Sequence, residues 1–209
     1  MSHAVALAFD EDLLIDRLTL AVGVREPERI TRRVKNVLEV LVAQDALDLP
    51  QAVLQPRATG YARRLLHRDP DLDFTVLVMA WGPGQGAPLH DHDGLWGVEI
   101  VVQGEMEVDT YELLESPEPF DPAPLAPTRE AELHRFVLRE TVRSGVGESD
   151  SLVPPREYHA IRNALPDATS VTLHVYGGEL HQCNIYLPEA DGLYRREPRR
   201  LSYDDWGVL

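Results

Sequence analysis

The pattern of apolar and polar positions divides the chain near residue 72, with helical spacing before it and strand-like segments after it. In residues 10–46, apolar side chains recur every three or four positions, which predicts two helices, the second running from about Glu26 to Gln44. A third, short helix is predicted near Leu49–Leu54. We therefore expect an N-terminal helical segment within residues 1–56.

Beyond residue 72, short runs rich in β-branched residues are separated by Gly and Pro, a pattern typical of strands. The predicted strands are DFTVLVMAW, WGVEIVVQ, EMEVDTYEL, HRFVLRETV, YHAIRNA, TSVTLHVYG and NIYL. Many short strands without helices between them favour a mainly β sandwich or barrel. Since no internal repeat is evident, residues 1–209 are interpreted as one domain, with helices over 1–56 packing on a barrel over 57–209. Residues 116–129 hold five prolines and predict an extended surface insertion.

Charge and cysteine content narrow the range of functions. The 209 residues carry 35 acidic and 20 Lys or Arg side chains, a formal net charge of −15, which disfavours nucleic acid as a partner. We see no basic amphipathic face for a membrane surface, no long apolar run and no signal peptide. Cys183 is the only cysteine, so no intrachain disulfide can form, and we expect a cytoplasmic protein that is a monomer or small homo-oligomer.

The segment WGPGQGAPLHDHDGLWGVEIVVQG contains the first chemical signal. His90 and His92 are two residues apart, so on a strand both imidazoles would face the same side. Imidazole is a good ligand for first-row transition metals. Gly84 precedes His90 by six positions and Gly104 closes the segment, a spacing that a chance His-x-His pair would not have.

A second segment, PPREYHAIRN, places His159 five residues after Pro154 and four before Asn163. The two segments together resemble the paired signature motifs of cupins, which are small jelly-roll barrels with a metal site between their sheets. This resemblance implies that His90, His92 and His159 are the metal ligands and that the fold is a cupin barrel with an N-terminal helical segment.

One departure from the cupin pattern affects the expected chemistry. The cupin glutamate would fall at position 97, where this chain has Gly97, and Glu99 is two residues out of register. We therefore expect three neutral imidazoles without a carboxylate. Such a site leaves the charge of the metal uncompensated, and it favours a thiolate substrate because a coordinating thiol is deprotonated.

From about Tyr61 to Cys183 the chain resembles the cysteine dioxygenase family, in the ordered segments YARRLLH, WGPGQGAPLHDH, HAIRN and TLHVY. The resemblance implies an oxidoreductase that uses Fe(II) and O2 to convert L-cysteine to cysteine sulfinic acid, a step of cysteine catabolism. Arg63 would bind the substrate carboxylate, and Tyr61 would add a hydroxyl contact. Arg64, the neighbouring residue, would point elsewhere on a strand.

The resemblance also implies catalytic roles for Thr172, His174 and Tyr176, which alternate along one predicted strand. In the family, a hydroxyl, an imidazole and a phenol form a hydrogen-bonded relay that ends beside the iron. Mammalian members carry a cysteine at the position of Gly97, which crosslinks to the tyrosine matching Tyr176. Because Gly97 has no sulfur, we predict no Cys–Tyr thioether cofactor.

The remaining aromatic, histidine and cysteine residues have weaker support. Cys183 is expected to be a wall or entrance residue, and Trp81 and Trp96 are expected in the pocket wall or the core. His67, His134 and His181 match no motif and are interpreted as surface or structural residues. Two alternatives stay open: a dioxygenase for another thiol carboxylate, such as 3-mercaptopropionate or mercaptosuccinate, and a cupin that binds a metal or ligand without turnover. The mercaptosuccinate hypothesis depends on Arg63 and Arg64 meeting two carboxylates.

Overall fold

The computed structural model describes residues 11–47, 49–115 and 133–206. Two helices come first, α1 (Glu11–Val22) and α2 (Pro27–Ala43). Pro27 begins α2, where it costs no hydrogen bond because the first amide groups of a helix have no partner within the helix. Within these ranges, no helix is long and apolar enough to cross a membrane. The predicted insertion at residues 116–129 lies outside the described residues.

The third helix predicted near Leu49–Leu54 is wrong. The described residues there form turns, held by bonds from Val53 N to Pro50 O (2.9 Å) and from Leu54 N to Gln51 O (3.3 Å). Such bonds span three residues, and the segment between Pro50 and Pro56 is too short to propagate a helix, which gains stability only after a costly first turn.

The rest of the described chain is built from strands that form one sheet and one closed barrel. The strands are β1 Ala62–Asp69, β2 Phe74–Trp81, β3 Gly86–His90, β4 Gly97–Gln103, β5 Glu105–Glu115, β6 Leu133–Gly145, β7 Ser149–Leu152, β8 His159–Asn163, β9 Ser170–Tyr176, β10 Gln182–Pro188 and β11 Leu193–Arg200. The sheet has the order β1-β2-β9-β4-β7, and the barrel has the order β10-β11-β6-β5-β8-β3. The mainly β jelly-roll arrangement behind two helices confirms the predicted fold class.

All seven predicted strand segments form strands, while four further strands escaped the sequence reading. These are β1, β3, β7 and β11. β7 has four residues, and β11 has the sequence LYRREPRR, in which charged side chains leave little apolar alternation to detect. Tertiary pairing with neighbouring strands decides their conformation, because strand propensity depends on context.

The five-stranded sheet has two buried faces with different partners. One face packs its apolar side chains against α1 and α2, among them Val76, Val78, Val98, Leu173 and Val175. The alternate residues of the same strands face the interior between the sheet and the barrel, where Leu77, Met79, Trp81, Val101 and Tyr176 pack with Ile161. Burial on both faces explains why FTVLVMAW and SVTLHVY are buried at every position. Polar residues on the inner face therefore face an enclosed interior.

Candidate metal centre and hydrogen-bonded relay

Three histidine rings converge in the interior. Their centroids lie 4.9 Å apart for His90 and His92, 4.6 Å for His90 and His159, and 5.1 Å for His92 and His159. One nitrogen from each ring lies within 4.8 Å of the others, a spacing that could hold a metal ion. In the described part of the chain, no carboxylate joins this group.

The backbone positions of the three histidines differ in part from those predicted. His90 ends β3 and directly faces His159, which begins β8. His92 lies beyond the end of β3, so the two rings do not share a strand face by alternation. The chain turns sharply after His92 at Asp93 and Gly94, whose φ angles are 54° and 78°. The His92 ring nevertheless lies beside both other rings.

Two properties of the histidines suit a metal ion: the protonation state of the rings and the lack of hydrogen-bond partners at several ring nitrogens. Burial lowers the pKa of His90 to about 3, with His92 adding to the effect, and burial holds the pKa of His159 well below its usual range. Both rings are therefore neutral at pH 7, which is the form that binds metals. Both ring nitrogens of His92 and Nδ1 of His159 are buried without a hydrogen-bond partner. Such atoms are costly in a dry interior, and a metal ion would satisfy those that face the centre.

Neighbouring polar groups orient two of the rings. Nδ1 of His90 lies 2.9 Å from the carbonyl oxygen of Pro88, which leaves its Nε2 free for a metal. The buried Glu157 accepts a 2.9 Å hydrogen bond from the backbone N–H of His92, and the same oxygen lies 3.6 Å from Nδ1 of that ring. A carboxylate beside a histidine ligand fixes the ring and raises its basicity. No motif in the sequence points to Glu157, because it is 65 residues from His92.

We predict that Glu157→Gln lowers metal affinity by roughly 10- to 100-fold, the usual cost of losing the outer partner of a histidine ligand. The glutamine keeps the size of the side chain but removes the negative charge beside His92. Titration of the metal-free protein with Fe(II), followed by calorimetry, measures the change. A suitable control is Glu140→Gln, which removes an exposed carboxylate from β6. Equal affinity in the two variants would contradict the prediction.

A buried polar network holds the loop between His90 and His92. Asp91 accepts hydrogen bonds from the side-chain amide of Asn184 (2.8 Å), the backbone N–H of Asn184 (2.9 Å) and the hydroxyl of Tyr186 (2.9 Å). Both partners lie on β10. The network therefore ties the histidine loop to β10 of the barrel.

The predicted relay residues are connected as a chain of hydrogen bonds on β9. Oγ1 of Thr172 lies 2.7 Å from Nε2 of His174, and the hydroxyl of Tyr176 lies 3.1 Å from Nδ1 of the same ring. Nε1–H of Trp81 donates to Oγ1 of Thr172 over 2.9 Å, which extends the chain to β2. Burial lowers the pKa of His174 to about 3 and raises the pKa of Tyr176, so both groups are neutral at pH 7.

The relay ends beside the three histidines. The Tyr176 ring stacks on His92 with centroids 5.6 Å apart. Gly97 lies directly opposite Tyr176 in the sheet, and a Cβ at this position would be 2.9 Å from Cε1 of the ring. The absence of a side chain at Gly97 therefore lets Tyr176 occupy this position. The expected absence of a thioether cofactor stays a prediction.

The inner cavity beside the histidines has a free volume of about 30 Å³ and one cationic wall residue. Arg63 on β1 is buried, donates to the carbonyl oxygen of Leu180 over 2.9 Å, and stacks its guanidinium 4.6 Å above the Tyr203 ring. Its Nε and Nη1 atoms have no partner. Unpaired guanidinium nitrogens at a cavity wall suit a carboxylate. Tyr61 also lines this cavity, packed on Trp81 with centroids 4.3 Å apart.

Arg64 takes no part in this cavity. Its Nη1 donates to the carbonyl oxygen of Val53 over 3.0 Å, on the face of the sheet that the helices cover. The strand does not bend between Arg63 and Arg64, since both pair in register with β2. Arg64 therefore points away from the cavity that Arg63 lines, and the use of both arginines by one substrate stays an untested hypothesis.

The remaining cysteine, tryptophan and histidine residues singled out in the sequence lie in different parts of the fold. Cys183 is buried in the wall of the inner cavity, as expected, and burial raises the pKa of its thiol to about 11. Trp96 packs with the helix-covered cluster and does not line the inner cavity. His134 is buried beside Tyr186, whereas His181 is exposed. Neither belongs to the metal-binding group.

Glu99 is the second residue whose role the sequence analysis missed. It is buried on β4 directly opposite His174, and its Oε2 lies 3.6 Å from Nδ1 of that ring. It faces the relay and does not belong to the histidine group. Alternation along β4 would have placed Glu99 on the inner face, but the pairing register with β9 was needed to identify its neighbour.

A jelly roll with three inward histidines defines the class of the protein: it has the cupin fold. Among solved structures, the chain is similar to a protein with a double-stranded β-helix domain from Klebsiella pneumoniae; the two are 15% identical, the match covers 62% of this chain and 83% of that one, and the TM-score is 0.42. Another is a cupin superfamily protein from Desulfitobacterium hafniense, which is 14% identical; the match covers 63% of this chain and 90% of that one, with a TM-score of 0.40.

A family model for cysteine dioxygenase type I matches residues 51–188. The chain belongs to the cysteine dioxygenase type I family, as its motifs predict, and this membership implies a dioxygenase.

Proposed function

We propose that the protein is an iron-dependent thiol dioxygenase that converts L-cysteine and O2 to cysteine sulfinic acid. The observation that carries the proposal is that one member of the three-histidine group, His92, stacks on the tyrosine end of a buried relay, with Arg63 lining the cavity beside them. In this reaction both oxygen atoms end on sulfur. The sulfur loses four electrons and O2 accepts them, so no further reductant is required.

His90, His92 and His159 would hold the ferrous ion. When bound, the ion supplies Lewis acidity toward the thiol and the redox chemistry that O2 requires. Three uncharged ligands suit a thiolate, because the ligand set itself adds no negative charge. No carboxylate of the described residues joins the histidine group, which supports an anionic substrate at the metal.

Arg63 would bind and orient the substrate carboxylate through its unpaired nitrogens. Its contacts with Leu180 and Tyr203 hold the guanidinium in place before the substrate arrives. Tyr61, also in the cavity wall, would add its hydroxyl as a second contact to the carboxylate. Arg63 is the only guanidinium among the described residues that lines this cavity, since Arg64 bonds to Val53 on the opposite face, and this supports a substrate with one carboxylate.

Tyr176 would hold a proton at its hydroxyl beside the reacting atoms, with His174 and Thr172 fixing its direction. Because burial raises the pKa of Tyr176, the hydroxyl stays protonated and can donate a hydrogen bond. The apolar residues around the cavity, including Met79, Leu180 and Ile161, exclude bulk water from these polar groups.

Anaerobic reconstitution with Fe(II), followed by oxygen uptake, tests the proposal. We expect one sulfinate per O2 from cysteine, with both oxygens labelled when ¹⁸O2 is used. Parallel assays with 3-mercaptopropionate and mercaptosuccinate measure the preference among thiols. No sulfinate from any thiol, with zinc or nickel bound at full occupancy, would contradict the proposal and favour a cupin without turnover.

A further inference from the structure

Glu99 has the geometry of a functional carboxyl group. The side chain is 6% exposed, and its Oε2 has no hydrogen-bond partner. It lies in register between His174 on β9 and Asp150 on β7, the strands on either side of β4. A buried carboxyl group without a partner is costly, so its position beside the relay calls for an explanation beyond stability.

Glu99 also lies between two cavities. It lines the inner cavity beside the histidines and also a larger cavity of about 280 Å³. Thr172 lines the larger cavity as well, whereas His174 and Tyr176 line only the inner one. The polar residues that line the larger cavity besides Glu99 are Thr110, Glu140, Ser144, Glu148, Ser149, Asp150 and Thr172. The larger cavity is polar enough to hold water, and Glu99 connects it to His174, which does not line it.

We propose that Glu99 is a positioning residue that accepts the relay's proton and releases it into the larger cavity, which acts as a proton exit for the enzyme. The inference rests on the proposed thiol oxidation, because a thiol that binds as thiolate must lose a proton inside a closed cavity. Tyr176 takes the thiol proton as it gives its own to Nδ1 of His174. That nitrogen passes the proton to Oε2 of Glu99, and Glu99 releases it to water. Tyr176 and His174 return to their starting states, and one proton leaves for each thiol bound.

The electrostatics of the site favour this direction of transfer. Burial, together with Asp150, raises the pKa of Glu99 to about 8, while burial lowers the pKa of His174 to about 3. A proton that reaches the imidazole therefore moves to the carboxylate. Arg63 contributes to the lowered pKa of His174, which also favours moving the proton from that ring to Glu99.

Several other charged and titratable groups face Glu99 or the cavities that it lines. From the strands and loops around it these are Tyr61, Arg63, His90, Glu140, Glu148, Asp150, His159, His174, Tyr176 and Cys183. Among them, Asp150 is the charged group that raises the pKa of Glu99. Asp150→Asn should therefore lower that pKa, whereas Glu140→Gln, at the exposed rim of the same cavity, should leave it in place.

The first test uses the metal-free protein and does not depend on activity. Carboxyl ¹³C NMR, with Glu99→Gln to assign the signal, follows the titration of Glu99, and ¹⁵N NMR follows His174. We expect the titration midpoint of Glu99 to lie several pH units above that of an exposed glutamate. The His174 signals should change with the same midpoint. Asp150→Asn should lower this midpoint, and Glu140→Gln should not. An ordinary glutamate midpoint, or a His174 signal that ignores Glu99, would overturn the proposal.

The second test compares pH profiles of the iron-loaded variants. With wild type, kcat/KM for cysteine should rise with pH through the ionisation of Glu99, because only the carboxylate accepts the proton. In Glu99→Gln this rise of kcat/KM with pH should disappear. The value of kcat/KM should also fall by about tenfold, below the usual contribution of an acid–base group. Glu99→Asp should recover part of the limb. Glu112→Gln, which removes an exposed carboxylate outside both cavities, should behave as wild type.

The two proposals can fail separately. If wild type oxidises no thiol, the proposed function fails, while the NMR titrations still report on the coupling of Glu99 and His174. If wild type is active and Glu99→Gln keeps the full profile, the proton exit is wrong and the dioxygenase proposal stands. Thermal unfolding at pH 9 checks that Glu99→Gln folds. The variant should be at least as stable as wild type there, because wild type then holds a buried carboxylate that folding disfavours.

Discussion

Replacing His159 by alanine is expected to empty the metal site and to lower thiol oxidation by at least about 1,000-fold, since losing even an outer partner of a histidine ligand costs 10- to 100-fold. His159 is buried at the start of β8, opposite His90, and it contributes one of the three converging nitrogens. Two remaining imidazoles leave the ion with too few protein ligands. Metal analysis after dialysis and oxygen uptake with cysteine measure the two effects.

The matched control is His181→Ala, which removes an exposed histidine outside the metal-binding group. It should keep metal content and activity. A ligand that binds only the folded state stabilises it, so added Fe(II) should raise the unfolding temperature of wild type and of His181→Ala but not of His159→Ala. If His159→Ala binds one Fe(II) per chain with unchanged affinity, His159 is not a ligand. His159→Gln, which fills more of the space, tests whether a loss comes from misfolding.

Replacing Arg63 by glutamine is expected to lower kcat/KM for cysteine by roughly 100-fold, because a buried charge-assisted hydrogen bond to a carboxylate is lost. Iron content should not change, since Arg63 is not in the metal-binding group. Cysteamine, a thiol without a carboxylate, should be oxidised at the same low rate by wild type and variant. The ratio of the two substrates therefore measures carboxylate recognition and separates it from general damage to the site.

Arg64→Gln is the neighbouring control. Arg64 is also buried, but it bonds to Val53 on the helix-covered face. This variant should lose stability, by about 1 kcal/mol for one hydrogen bond, and keep the preference for cysteine over cysteamine. Arg63→Lys should recover little, because an ammonium lacks the planar fork of a guanidinium. An Arg63→Gln enzyme that keeps its preference for cysteine would show that the carboxylate is bound elsewhere.

Much of the candidate site was accessible from sequence because its residues are tied to strand alternation and motif spacing. Thr172, His174 and Tyr176 alternate on β9, and the structure joins them through hydrogen bonds as predicted. The seven strand segments also follow from local patterns of β-branched residues and turns. In contrast, the helix predicted near residues 49–54 is a series of turns. A short segment with several apolar residues does not show by itself whether a helix can propagate.

The sequence by itself determined the mainly β fold, the three histidines and the relay, since period and spacing are local properties of the chain. Only the tertiary structure decided what lies across the sheet or barrel from each of them. Glu157 approaches His92 from 65 residues away, Trp81 reaches Thr172 from β2, and Glu99 meets His174 through strand register. The same holds for Arg63 and Arg64, whose different faces became visible only when β1 paired with β2. These neighbours depend on which strands pair and in what register, and side-chain alternation along one strand carries no information about either.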